Sequence, residues 1–384
     1  MTRPPATPRL MRELNERTVL DAIRAHAPIS RAEVSRRVGI SKPTVSGVLR
    51  SLLDAGLVRE TENGSDGPSY GAVFFEPVPD AALAMGFDIG ARFLRGAVCD
   101  LRGDVLARLD IELARADATA VVTATADLQR RLLEASELEP LAVEGVVVGV
   151  PGMIEQRSGR VRLAENVHGL EDLDVAAELA AVLGTRVTVE NDVNLAALGE
   201  QWRGVGRGVD DFVFLSVGTG LGAGLVLGGE LHRGHHGAAG EIDYALGGID
   251  DAPVDPAAPA VSVLAARLAS EKRLATTLSP PFDVPAIFGA ARAGDPLARA
   301  VVEEEARRIA MQIAPIAAVA DVGLVVLGGG IGANGDLLLA PVRSLLERLV
   351  PYPPHVVVSS LGDAAVLTGA LALGLRQALD SVSP

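Results

Sequence analysis

A chain of 384 residues, 48% of them hydrophobic, has length for two or three domains with cores of their own. Its single cysteine, Cys99, excludes an intrachain disulfide and any multi-cysteine metal site, and no uninterrupted apolar run reaches membrane-spanning length. The net charge of −14 is uneven: residues 1–60 hold eleven Lys/Arg against six acids, so the remainder carries −19, and a basic head on an acidic body fits phosphate contact at one end only.

Residues 1–10 hold three prolines and two arginines and read as a mobile arm; they contain no apolar signal core, so a cytoplasmic protein is expected. A first helix follows over about 14–27, with Val19, Leu20 and Ile23 facing inward. Residues 29–57 then read as two short helices around a tight turn. Ser30 and Glu33 form a capping box, Val34 and Val38 start an apolar stripe, and Gly39 can take the left-handed conformation that ends the helix. Ser41 caps a second helix over 41–53, in which Pro43 is tolerated in the first turn. Val45, Val48, Leu49 and Leu52 fall on one buried face. The opposite face carries Lys42, Thr44, Ser46, Gly47 and Arg50, groups that can approach a DNA groove closely. This is a helix-turn-helix with its recognition helix second; the plainer alternative is a helical hairpin with a solvated outer face. Strands at 57–60 and 72–75 around a glycine-rich loop make it a winged variant. The expected DNA contacts are Arg31, Ser41, Lys42, Thr44, Ser46, Arg50 and Arg59.

From residue 83 strands and helices alternate. Strands are expected at 83–89, 95–99, 105–109, 143–150 and 187–190, with helices at 118–135 and 193–201. A second set has strands at 212–217, 223–227, 323–327 and 355–359 and helices at 261–277, 295–320, 333–349 and 364–379. Two β-rich halves, each opening on strands around a glycine turn, suggest a duplicated α/β fold with a cleft between lobes. Four clusters sit where strands end, the usual place for ligands in such folds. They are Asp88-Ile-Gly90, the run from Glu190 to Asn194, the run from Ser216 to Gly224 and the glycines at 328–330. Gly218, Thr219 and Gly220 are candidates for presenting backbone amides to an anion. A dinucleotide fingerprint is absent, because position 223 is Ala and the segment continues as strand.

In this order the motifs GFDIG, VGVPG, ENDVN, SVGTGLGAG, GAAGEI and LGGGIG, behind a winged head, resemble the ROK family of repressors, open reading frames and kinases. The resemblance implies an α/β chain: an N-terminal winged helix-turn-helix over 1–80, then a two-lobed actin/hexokinase-like (ribonuclease H-like) body over 81–384. Lobe one would span about 81–195 plus the C-terminal helix 363–380, and lobe two about 196–362. It implies sugar contacts at Asn191, Asp192 and Glu241, with Asn166 a further candidate; Asp192 would be the base position of a kinase. The plainer role of Asn191 and Asp192 is to cap the helix that follows.

Three departures qualify the likeness. Asp88-Ile-Gly90 continues as Ala91-Arg92 where kinases carry a glycine and a threonine for ATP phosphates. Tyr244 stands in place of the family's zinc-binding histidine and 248–259 replaces its cysteines, so no structural metal is expected; His232, His235 and His236 offer at most a substitute. The wing segment 63–71 has no Lys or Arg and contains Asp66, which leaves more of DNA recognition to Arg59 and the recognition helix. The reading is a transcriptional regulator of carbohydrate metabolism, a repressor, binding a double-stranded DNA operator as a homodimer or homotetramer and sensing a sugar or sugar derivative, with no cofactor and no membrane. The alternatives are a body that serves dimerisation only, or an ATP-dependent sugar kinase.

Overall fold

The computed structural model describes residues 8–62, 73–113, 115, 117–138, 143–164, 167–245, 255–272 and 274–382. The head opens with helix α1 (Pro8–His26), which begins inside the proline-rich segment because Pro8 occupies a first-turn position where its missing N–H has no partner to lose. A two-residue strand β1 (Ile29–Ser30), helices α2 (Arg31–Val38) and α3 (Lys42–Asp54), and strands β2 (Val58–Thr61) and β3 (Phe74–Pro77) complete it. The sheet order is β1-β3-β2, with Arg59 opposite Glu76. The expected second wing strand is therefore shifted by two residues, and the wing tip 63–72 lies outside the described residues. Val19, Ile23, Val34, Val45, Leu49 and Leu52 form the head's core.

The cap of α2 is half of what the sequence suggests. The Glu33 N–H donates to Ser30 Oγ (3.3 Å), but the Glu33 carboxylate turns away to pair with Arg36 and Arg37, the latter at 2.8 Å. Two guanidinium partners outcompete one backbone N–H. Gly39 ends the helix at φ 68°, as the left-handed turn requires.

The body contains two sheets of the same plan. In lobe one, β4 (Leu83–Ile89), β5 (Phe93–Cys99) and β6 (Val105–Glu112) run antiparallel, followed by α4 (Ala118–Ser136), β7 (Val143–Val150), a hairpin of β8 (Met153–Ile154) and β9 (Val161–Arg162), α5 (Val175–Leu183), β10 (Val187–Asn191) and α6 (Asp192–Arg203). Lobe two has β11 (Phe212–Val217), β12 (Leu221–Leu227), β13 (Glu230–Leu231), α7 (Ala258–Lys272), α8 (Val284–Arg292), α9 (Pro296–Ala320), β14 (Leu324–Gly328), the single turn α10 (Gly329–Gly332), α11 (Gly335–Leu349) and β15 (His355–Val358). Helix α12 (Ala365–Val382) closes the chain. Among the described residues the sheet orders are β10-β7-β4-β5-β6 and β13-β12-β11-β14-β15. In each, a first strand pairs antiparallel with its successor on one side and parallel with a later strand on the other. That correspondence is the duplication legible in the sequence.

Three elements depart from expectation. The helix expected over 261–277 stops at Lys272, and α8 forms separately after Pro280-Pro281. Helix α5 and the β8–β9 hairpin had no counterpart in the reading of the sequence. Between the lobes, α6 and α12 cross at Gly199 and Gly369. A Cβ at Gly199 would lie 2.3 Å from the Ala365 carbonyl oxygen, and one at Gly369 would lie 1.8 Å from that of Leu195. The two helices therefore touch backbone to backbone.

Candidate functional site

Two surfaces carry the chemistry the sequence points to. On the head, Ser41, Lys42, Thr44, Gly47 and Arg50 are exposed on one side of α3, while Val45, Val48, Leu49 and Leu52 are buried on the other. Ser41 caps α3 by accepting from Thr44 N–H (3.4 Å), and its hydroxyl lies 2.8 Å from that of Thr44. Arg31 Nη1 reaches across from α2 to Ser46 Oγ (3.2 Å), and that hydroxyl donates to the Lys42 carbonyl (2.8 Å). Lys42 and Arg50 make no ion pair among the described residues and project into solvent. Arg59 is different: its Nε is held by Glu76 Oε1 at 2.7 Å across the wing sheet. The expectation that Arg59 substitutes for a basic wing thus meets a competing carboxylate.

Gly47 carries a signal the sequence shows without explaining. It sits in the middle of α3, where glycine costs about 1 kcal/mol relative to alanine. A Cβ there would meet nothing within 4 Å. Among the described residues no packing requires glycine at this place.

The second surface is a cleft of about 990 Å³ between the lobes. Asn191 and Asp192, at the N-terminus of α6, line it together with Glu241, Arg95 and the Gly218–Gly220 turn. Thus six of the sequence candidates, Asn191, Asp192, Glu241 and the Gly218-Thr219-Gly220 turn, meet in one cavity; Asn166 lies outside the described residues. Asn191 does cap α6: its Oδ1 accepts from Asn194 N–H (2.9 Å) while its Nδ2 donates to the Gly152 carbonyl (3.0 Å). With Nδ2 also 3.4 Å from Asp192 Oδ1, its amide has little capacity left for a ligand. Asp192 accepts from Val193 N–H (2.8 Å), and Glu241 makes no side-chain hydrogen bond among the described residues. These two carboxyls hold the spare hydrogen-bonding capacity.

Their electrostatics follow from crowding. Burial, then the charges of Asp88 and Glu241, push Asp192 up to about 7. Burial, then Asp243, raises Glu241. Asp88 is raised by burial and partly compensated by Arg95, whose Nη1 lies 3.1 Å from Asp88 Oδ2. Arg95 also approaches Asp110 at 3.6 Å. The segment after Asp88 is a closed turn, with Gly90 N–H donating to the Phe93 carbonyl (2.9 Å) and Arg92 paired to Glu112 (2.9 Å). Gly218 N–H is likewise spent, on the Gly220 carbonyl at 3.0 Å, which narrows the anion cradle expected there.

Glu190, within the run already singled out, and Arg233, which no motif announces, act as positioning groups. Glu190 is 5% exposed and accepts from Asn191 N–H and Asn194 Nδ2 through one oxygen (3.0 Å each); Arg233 grips the other through Nε and Nη2 at 2.7 and 2.6 Å. The loop leading to Glu241 is thereby tied to the root of α6. His235 and His236 stack edge to face at 4.5 Å, and among the described residues no three or more His, Cys, Asp or Glu side chains gather as a metal site.

Comparison with known proteins fits this geometry. The profile described as ROK family matches residues 84–377. The chain belongs to the ROK family. A MarR-family profile matches residues 13–67, the span of the winged head. The xylose repressor of Caldicellulosiruptor bescii is 26% identical over 390 residues, covering 96% of this chain and 97% of that protein. The glucokinase of Halalkalibacterium halodurans is 30% identical over 312 residues, covering 74% of this chain and 93% of that one. A crystal structure described as a ROK family transcriptional regulator, homologue of E. coli MLC protein, superposes with a TM-score of 0.78 at 25% identity, covering 97% and 98% of the two chains. This ROK protein thus combines a DNA-binding head with a kinase-like body, and among its described residues no helix is long and apolar enough to cross a membrane.

Proposed function

We propose that this ROK protein is a sugar-responsive DNA-binding repressor: residues 1–80 bind operator DNA, and residues 81–384 sense a neutral sugar in the interlobe cleft. The observation that carries the reading is the exposed face of α3, with Lys42, Gly47 and Arg50 unencumbered, joined to a ROK body in one chain. End-to-end similarity to a protein described as a xylose repressor supports pentoses and hexoses as the first effectors to test. Two heads in a dimer or tetramer would read a palindromic site, with Lys42, Thr44 and Arg50 at base edges and Arg31 and Ser41 at phosphates. Asp192 and Glu241 would accept sugar hydroxyls, with Asn191 fixing the helix terminus beneath them.

Phosphoryl transfer is mostly alignment and charge stabilisation, and both are compromised on the phosphate side of the cleft. Asp88 is clamped by Arg95, and the residues after it form a closed turn. A second reading, an active sugar kinase, is favoured by one observation: Asp192, raised to about 7, has the proton affinity of a general base. The test is selection of genomic DNA fragments by the full chain, with xylose, glucose or neither present. A regulator enriches a recurrent palindrome that one sugar releases; indiscriminate retention whatever the sugar would defeat the reading.

A further inference from the structure

Helix α6 begins in the cleft and ends against the head. Its twelve residues span about 18 Å. At the first end are Asp192 and the Glu190–Arg233 clamp, which ties the loop leading to Glu241 to the helix root. At the other end is Trp202, the only tryptophan in the chain. Above its ring, at 5.9 Å from the centroid, lies the guanidinium of Arg24, which belongs to α1 of the head; Arg203 lies at 4.5 Å from the same centroid. Between the ends the helix has no freedom to bend. Residues 194–200 are all buried, and the Gly199–Gly369 crossing locks its backbone against α12. Glu200, fully buried, accepts from Val205 N–H (2.8 Å) and from the Ser359 hydroxyl, which pins the distal half.

On the body side the head's core is completed by Ala82, Leu101 and Ala378, with Leu379 packed against it. Arg24 is held by Asp21 (3.1 Å) and the indole, while among the described residues its Nε is buried without a hydrogen-bond partner. Helix α1 in turn packs on α3, and Arg12 Nη2 donates to Ser51 Oγ (2.8 Å) across that contact.

We propose that α6 is the lever that carries occupancy of the cleft to the DNA-binding head, through the Trp202–Arg24 contact. The inference rests on the reading that the cleft binds a sugar. A ligand bridging Asp192 and Glu241 would pull on the clamped Arg233 loop and so on the root of α6, and the helix, moving as one body with α12, delivers the displacement to Trp202. Arg24 and α1 follow, and with them the orientation of α3. Helix α12 also touches the head, but it does not begin in the cleft.

The test is hydrogen exchange on the full chain, followed in α6 and α1, with tryptophan emission as a second readout. Asn191→Ala disturbs the cleft end without any ligand; Asp192→Asn does so isosterically should the first variant fold poorly. Xylose and glucose are the ligand probes. Each effective perturbation should change α1 exchange about 5-fold or more, the usual range of coupling between sites. In Arg24→Gln, or in Trp202→Leu followed by exchange alone because it leaves no tryptophan, the change at 191–195 should persist while that in α1 disappears. If the cleft variants alter 191–195 but leave α1 untouched, or if α1 still responds with Arg24→Gln, the lever is refuted. If the cleft variants move α1 while no sugar does, the lever stands and the sugar reading fails.

Discussion

Replacing Gly47 by alanine should make the head more stable and the protein a poorer DNA binder. Glycine inside a helix costs about 0.8–1.0 kcal/mol relative to alanine, because the unfolded chain loses more freedom and no side chain packs. At Gly47 the added methyl meets nothing beyond its own helix within 4 Å among the described residues, so no steric term offsets the gain. Full recovery of about 1 kcal/mol would slow exchange of α3 amides that open with the helix roughly 5-fold. On DNA the same methyl stands between the helix backbone and the groove. Pushing the backbone out would weaken the contacts of Lys42 and Arg50, at a cost of about 1–3 kcal/mol if a base-edge contact is lost. The assay pairs amide exchange on the free protein with titration of a selected operator fragment. Slower exchange with unchanged affinity would refute the argument that DNA, rather than folding, keeps glycine at this position.

Lys42→Ala and Arg50→Ala should each weaken operator binding by about 1–3 kcal/mol if they reach base edges, whereas a phosphate contact would show instead as a salt slope reduced by roughly 1; residues 81–384 alone should not shift the operator. Glu305 is fully buried in lobe two with neither carboxylate oxygen hydrogen-bonded among the described residues, and burial pushes it from 4.5 up to about 9. Between those values the folded chain holds a proton that the unfolded chain releases, so its contribution falls as pH rises and levels off above about 9. Glu305→Gln should therefore stabilise the fold more at pH 8 than at pH 5, by roughly 3 kcal/mol or less at neutral pH, and so raise the melting temperature more at the higher pH; equal melting temperatures for the two proteins across that range would count against a buried neutral carboxyl. Asp192, raised to about 7, should tighten its hold on sugar hydroxyls as it loses its proton between pH 6 and 8. Calorimetry should show that trend in the native chain and a flat profile for Asp192→Asn.

What the sequence made legible were features whose cause is local. Ser41, Pro43 and Gly39 place the helix ends, and the spacing of Val45, Val48, Leu49 and Leu52 fixes which face of α3 is outward. The body was legible through its order of strands and through polar clusters at their ends. Long-range contacts were not. The helix pattern continues past Lys272, yet Thr277 N–H is captured by Asp295 Oδ2 at 2.7 Å, which holds that stretch out of helix. Helix α5, VAAELAAVL, is apolar over most of its nine residues and has almost no polar face from which to read a period. The clamp of Glu190 joins groups 43 residues apart, and Arg95 meets Asp88 only because β4 and β5 pair in that register. Arg59 reads as free in the sequence because its partner, Glu76, lies beyond the wing.

The most direct measurement follows operator release and ADP formation together, with full-length protein, a selected operator, ATP, Mg²⁺ and a panel of pentoses and hexoses. A sensor releases DNA with one sugar, forms no ADP above background, and loses that response with Asp192→Asn. Sugar-dependent ADP formation near the roughly 1–100 s⁻¹ usual for kinases, abolished by Asp192→Asn and indifferent to operator, would contradict it.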